Sequence, residues 1–234
     1  MGAISNTFFE QDYLWGLLES DIMPLVDVIS WHPMYGASPD YPLYYDYYYD
    51  YPKMLQRIKD TAAAHGFDGE YHADELSWNL EYRDDQPWVY TPVTAAKYFG
   101  RAALLHLGTQ IDIGLGGGYI VTPRLTTVMA GAEPIDLQVE KETTAEYMPG
   151  YSFSLPDNGY LVSMWTNGVA QESDPGVLTT ITIPGFSAEK VIAVDILYGL
   201  EQELVFEQVG ADLIIRDLLV RDYPLILKFE SGER

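Results

Sequence analysis

The sequence predicts an α/β region followed by an all-β region, and two patterns carry that expectation. Up to about residue 134, apolar stripes at helical spacing alternate with short β-branched runs. That order is the mark of βα units on a parallel sheet. Beyond it, short strand-like runs succeed one another between turn residues, which reads as an antiparallel β-sandwich. The composition changes near residue 136, so two domains are expected, 1–136 and 137–234.

Each element has a local reason. Residues 10–19 place Tyr13, Leu14, Leu17 and Leu18 on one helical stripe. Residues 26–31 form a β-branched run closed by His32-Pro33, a buried strand. Pro52 suits the first turn of a helix whose face carries Leu55, Ile58 and Ala62, with Gly66 as its stop. Residues 70–76 are the next strand. Thr91-Pro92 combines a hydroxyl cap with proline at the first helical position, and the helix ends at Gly108. Residues 110–115 make a third strand, and Thr122-Pro123 repeats the start signal for a helix stopped near Gly131. Residues 2–5 have the pattern of the end of a further strand. In the second half, Pro156-Asp157-Asn158-Gly159 is a hairpin turn between strands at 151–155 and 160–165, since Asn-Gly reaches positive φ at little cost. Runs at 178–183, 191–197, 201–207, 212–216 and 225–229 complete the sandwich.

Composition excludes several functions. Thirteen Lys and Arg stand against 35 Asp and Glu, a net charge of −22. A nucleic acid or an anionic membrane needs a basic footprint, and no Lys/Arg cluster exists. A hydrophobic fraction of 47% excludes a disordered chain. The absence of cysteine excludes disulfides, thiolate zinc sites and a Cys nucleophile. No apolar run reaches the roughly 18 residues of a membrane span, and no signal pattern opens the chain, so a cytoplasmic location is expected. The four histidines show no zinc-type spacing, so neither a catalytic metal nor a cofactor is expected. Residues 114–119 are no dinucleotide fingerprint, because Tyr119 stands where the last glycine is required. There is no Gly-x-Ser-x-Gly elbow for serine hydrolysis.

The densest chemistry lies at strand ends, where parallel α/β folds carry their active sites. Trp31-His32-Pro33-Met34-Tyr35-Gly36 closes one strand, and Glu70-Tyr71-His72-Ala73-Asp74-Glu75 followed by Trp78 forms the next. Three carboxylates in one short strand must be paired, hydrogen-bonded or solvated in a cleft. Spacing alone does not choose between Asp74 and Glu75 as a working carboxylate. Tyr41, Tyr44, Tyr45, Tyr47, Tyr48, Tyr49 and Tyr51 form either a sugar-contacting platform or a packed edge. Trp165 belongs to the sandwich core, and His65 to a helix end. Three strands do not make a (β/α)8 barrel, which takes about 250 residues; the α/β half is either a small open sheet or part of a barrel.

Residues 26–33, 69–78 and 95–108, taken in order, resemble the C-terminal half of a (β/α)8 retaining glycoside hydrolase. The clan in question carries catalytic glutamates on barrel strands four and seven. Residues 194–204 and 218–227 resemble the small β-sandwich appended to such barrels. The resemblance implies that the three strands are barrel strands six, seven and eight, with Glu75 as the strand-seven nucleophile. His32 and Tyr35 then orient it and bind sugar hydroxyls; Trp78 and Trp88 flank the cleft, and one of them is expected as a sugar contact, with Trp78 the candidate. The implied ligand is a carbohydrate or glycoside. One departure is plain: the strand-four acid/base follows an Asn, and this chain has no Asn-Glu pair. The resemblance therefore implies a half-barrel lacking strands one to four, either a glycosidase part or a non-catalytic carbohydrate-binding or structural remnant. A half-barrel exposes two sheet edges and one apolar face, so self-association is expected, most simply as a symmetric dimer.

Overall fold

A computed structural model describes residues 11–84, 87–114 and 119–230. The strand end expected at 2–5 and most of the glycine run at 114–118 lie outside the described residues. The chain divides into two compact units. One comprises Met1–Ala95 with Leu105–Gly118, and the other Ala96–Leu104 with Tyr119–Arg234.

The first unit opens with helix α1 (Gln11–Leu18), strand β1 (Val28–Trp31) and the short strand β2 (Met34–Tyr35). Helix α2 (Tyr45–Ala64) leads to β3 (Glu70–Ala73) and β4 (Leu76–Ser77). Helix α3 (Pro92–Gly108), whose middle stretch Ala96–Leu104 belongs to the second unit, precedes β5 (Asp112–Ile113). The sheet order is β1-β3-β5, all parallel. This is the βα alternation that the sequence predicts.

Helix α2 starts earlier than its proline suggests, and Pro52 lies inside it. Proline removes one ladder hydrogen bond there. Burial outweighs the loss: Tyr47, Tyr51, Leu55, Ile58 and Ala62 follow one another at helical spacing and are all buried. The tyrosine run is therefore largely a helical stripe with a buried side. Behind the sheet, Trp31 Nε1 donates to Tyr51 Oη at 3.0 Å, and Tyr51 Oη lies 2.7 Å from His106 Nε2. Tyr51 Oη joins the indole of Trp31 to the ring of His106. Helices α2 and α3 are thus tied to the end of β1.

Both start signals at Thr-Pro precede helices, yet only one cap forms. Thr91 Oγ1 accepts from Thr94 N at 3.1 Å in a reciprocal capping box. Thr122 instead lies inside helix α4 (Thr122–Val128), and its Oγ1 has no partner among the described residues. The expected second cap is corrected accordingly.

The second unit holds a six-stranded and a four-stranded antiparallel sheet. The larger has the order β12-β11-β15-β9-β8-β6. Its strands are β6 (Glu133–Ile135), β8 (Gly150–Ser154), β9 (Tyr160–Met164), β11 (Lys190–Asp195), β12 (Leu200–Glu203) and β15 (Leu225–Glu230). The smaller is β13-β14-β10-β7, with β7 (Glu140–Thr143), β10 (Val177–Ile183), β13 (Glu207–Val209) and β14 (Asp212–Val220). Val162, Val191, Leu227 and Phe229 from one sheet share a buried cluster with Ile181, Ile183, Leu213 and Ile215 from the other. Strand β6 enters the larger sheet just before position 136. The β8–β9 hairpin turns where expected, with Asn158 at φ 61° and Gly159 N donating to Asp157 Oδ1. Trp165 is buried, as expected of a core residue.

Candidate active site

The site is built at a shared interruption of two paired strands. Val28 pairs with Glu70 and Trp31 with Ala73; beyond the gap, Met34 pairs with Leu76 and Tyr35 with Ser77. The register does not change across the gap, so His32-Pro33 stands opposite Asp74-Glu75. Proline cannot donate to a ladder, which explains why pairing lapses there. The Pro33 carbonyl is taken by Tyr47 Oη at 2.5 Å. Side chains freed from the pleat converge at this gap.

Tyr35 Oη donates to Glu75 Oε2 and lies 2.9 Å from His32 Nδ1. Since the phenol proton goes to the carboxylate, Nδ1–H of His32 must donate to Oη. That fixes the tautomer: in a neutral ring, Nε2 is an acceptor. It faces Asp74 Oδ1 at 3.6 Å and Glu75 Oε1 at 3.8 Å, too far for direct hydrogen bonds. His32 Nε2 and Asp74 Oδ1 are shielded from solvent and have no hydrogen-bond partner among the described residues. Both atoms are acceptors, so the pair is satisfied by a water, which has two protons to donate, or by two hydroxyls, each donating one.

The two carboxylates differ in access. The Glu75 side chain is 59% exposed and that of Asp74 35%. Glu75 therefore presents a carboxylate to solvent while Tyr35 grips its other oxygen. Burial, followed by the hydrogen bond to Glu75 and the charges of Glu75 and Asp74, pushes the Tyr35 phenol well above the usual tyrosine range. Tyr35 therefore stays a donor across the neutral and mildly alkaline range.

Gly114, at the end of the strand expected over 110–115, lies against the gap. Its N donates to Ala73 O at 2.9 Å, and a Cβ there would overlap the Asp74 carbonyl. Only glycine lets the end of β5 approach so closely.

The structure brings His32, Tyr35 and Glu75 together and leaves Trp78 out. Trp78 is 2% exposed, and its Nε1 donates to Ala37 O at 3.0 Å. The expected sugar contact is corrected: the indole packs inside the unit, because the residue after Ser77 returns to the buried side. An aromatic pair does lie at the tyrosine-rich segment, where Tyr41 stacks on Trp88 with centroids 4.9 Å apart.

No family model and no curated protein matches the chain. Among solved structures, the chain is similar to the GH51 arabinofuranosidase from Xanthomonas axonopodis pv. citri. The TM-score is 0.60 at 9% identity, over 98% of this chain and 57% of that one. This shows a glycoside hydrolase-like fold. The chain spans little more than half the length of that enzyme. A GH27 β-L-arabinopyranosidase from Geobacillus stearothermophilus aligns over 95% of the chain and 62% of its own length, at 10% identity and a TM-score of 0.39. That score is too low to bear on the fold.

Proposed function

We propose that the chain is the C-terminal part of a retaining glycoside hydrolase, a partial (β/α)8 barrel with its β-sandwich, and that Glu75 is the nucleophile. The observation that carries this is the solvent-facing Glu75 carboxylate held by Tyr35 at a strand end. In the reaction, one Glu75 oxygen attacks the anomeric carbon. The bond to the leaving oxygen breaks, and that oxygen takes a proton from a general acid. Water then cleaves the glycosyl-enzyme ester and restores Glu75. Tyr35 orients the carboxylate, and the His32–Asp74 pair receives sugar hydroxyls. Trp78 has no role in this reading.

No residue of the chain is assigned as the general acid. A leaving group that departs as a stable anion does not need one. Dinitrophenyl glycosides, with an α-L-arabinofuranoside among the sugars, therefore isolate the Glu75 step. The expected result is turnover by the purified chain that falls at least about 10³-fold in Glu75→Gln. A 2-fluoro glycoside should also leave a mass increment on the peptide that contains Glu75. A folded chain showing neither turnover nor labelling would point instead to a non-catalytic carbohydrate-binding protein.

Self-association belongs to the same proposal, with a changed reason. The sheet face opposite the helices was expected to be apolar, but at positions 70, 72 and 112 it carries Glu70, His72 and Asp112. The remaining motive is the sheet's ends, β1 and β5. Light scattering should give the mass of an oligomer; a monomer removes this part of the proposal.

A further inference from the structure

We propose that Glu70, His72 and Asp112 form a binding site for a divalent transition-metal ion, of which zinc fits best. Glu70 and His72 are two residues apart on β3 and so project from the same face. Asp112 on β5 is the register partner of His72. The three donor atoms all lie within 4.8 Å of one another.

The spacing of His72 from each carboxylate is that of ligands rather than of hydrogen-bond partners. His72 Nε2 stands 3.4 Å from Glu70 Oε2 and 3.4 Å from Asp112 Oδ2. An N–H···O bond would close to about 2.7–3.2 Å. Around a tetrahedral zinc ion with bonds of about 2.0–2.2 Å, neighbouring ligand atoms stand about 3.3–3.6 Å apart. A second observation points the same way. His72 Nε2 is shielded from solvent and has no hydrogen-bond partner among the described residues, although it is aimed between two carboxylates. An ion satisfies it, and the two carboxylates neutralise the ion. One imidazole nitrogen with two carboxylate oxygens suits zinc or manganese better than magnesium or calcium, which prefer oxygen alone. Water completes the shell.

The ion's effect on the fold follows from the short pairing it spans. Among the described residues, strand β5 meets β3 through the pairs His72–Asp112 and Ala73–Ile113. A metal bridging the two strands fixes that contact. The sequence reading missed the site because histidine spacing along the chain does not show a ligand supplied by the neighbouring strand. The proposal is independent of the glycosidase reading, in which none of these three residues has a role.

The test is calorimetric titration of the full chain, freed of metal by a chelator, with zinc chloride. One saturable zinc per chain is expected, with affinity lowered at least about tenfold in each of Glu70→Gln, His72→Gln and Asp112→Asn. His65→Gln should bind as the unaltered chain does, and excess magnesium should not displace zinc. The Glu70 and Asp112 side chains are 72% and 75% exposed, so their amides should not disturb folding. Zinc should raise the melting temperature of the unaltered chain, and raise that of Asp112→Asn less at the same zinc concentration. No saturable binding, affinity indifferent to all three substitutions, or displacement by magnesium would each overturn the site.

Discussion

Tyr35 holds its proton to higher pH than a solvated tyrosine, because burial and the carboxylates beside it disfavour the phenolate. Its hydrogen bond to Glu75 therefore persists across the neutral and mildly alkaline range. A hydrogen bond to a charged group is worth about 1.5–3 kcal/mol. Tyr35→Phe is accordingly expected to lower kcat on a dinitrophenyl glycoside by about 10–100-fold, with KM little changed. Steady-state kinetics beside circular dichroism separate this from misfolding. Behind the sheet, Tyr51 bridges Trp31 and His106 with no exposure to water. Tyr51→Phe strands a buried indole N–H and a ring nitrogen. It should cost about 1–3 kcal/mol in urea unfolding.

At the scale of elements, two glycines are required by backbone approach. A Cβ at Gly69 would overlap the Asp27 carbonyl, and one at Gly114 the Asp74 carbonyl. Alanine at either should lower stability, by about 2 kcal/mol or more, since backbone must move. Only Gly114→Ala displaces Asp74, so it alone should also impair turnover per folded molecule; comparing the pair by unfolding and kinetics checks this. In the second unit, helix α3 is held by a buried ion pair. Lys97 Nζ lies 2.6 Å from Asp222 Oδ1, with side-chain exposures of 2% and 5%. Gln171 supplies the remaining partners, its carbonyl to Lys97 and its N–H to Asp222 Oδ2. Asp222→Ala leaves an uncompensated buried ammonium and should cost about 3–5 kcal/mol. A Lys97→Met/Asp222→Leu double variant should recover much of that loss, as chemical denaturation would show.

For the whole molecule, the tyrosines set the alkaline limit. Burial raises Tyr51 and Tyr90 well above the usual value, and Tyr44 is pushed up to about 12. Below pH 10 these phenols are neutral in both folded and unfolded chains and do not change stability with pH. From about pH 10 upward the unfolded chain loses protons that the folded chain keeps, so stability falls as pH rises. Each of Tyr51 and Tyr90 contributes a slope of up to about 1.4 kcal/mol per pH unit there. Urea midpoints at pH 9, 10 and 11 should hold and then drop; an unchanged midpoint would refute the assignment. The order of helices and strands was legible because each rests on local chemistry. Thr91-Pro92, the Asn158-Gly159 turn and the β-branched runs specify their conformation within a few residues. His32, Tyr35 and Glu75 were legible as a group because they sit at adjacent strand ends. Pairing across the sheet was not legible, since it depends on register. It decided that Asp74 meets His32, that Gly114 must be glycine and that Asp112 joins Glu70 and His72. Burial likewise decided against Trp78 as a sugar contact and for Pro52 inside a helix. Local sequence sets backbone preference over a few residues, whereas long-range packing selects which side chains meet and which are withdrawn from water.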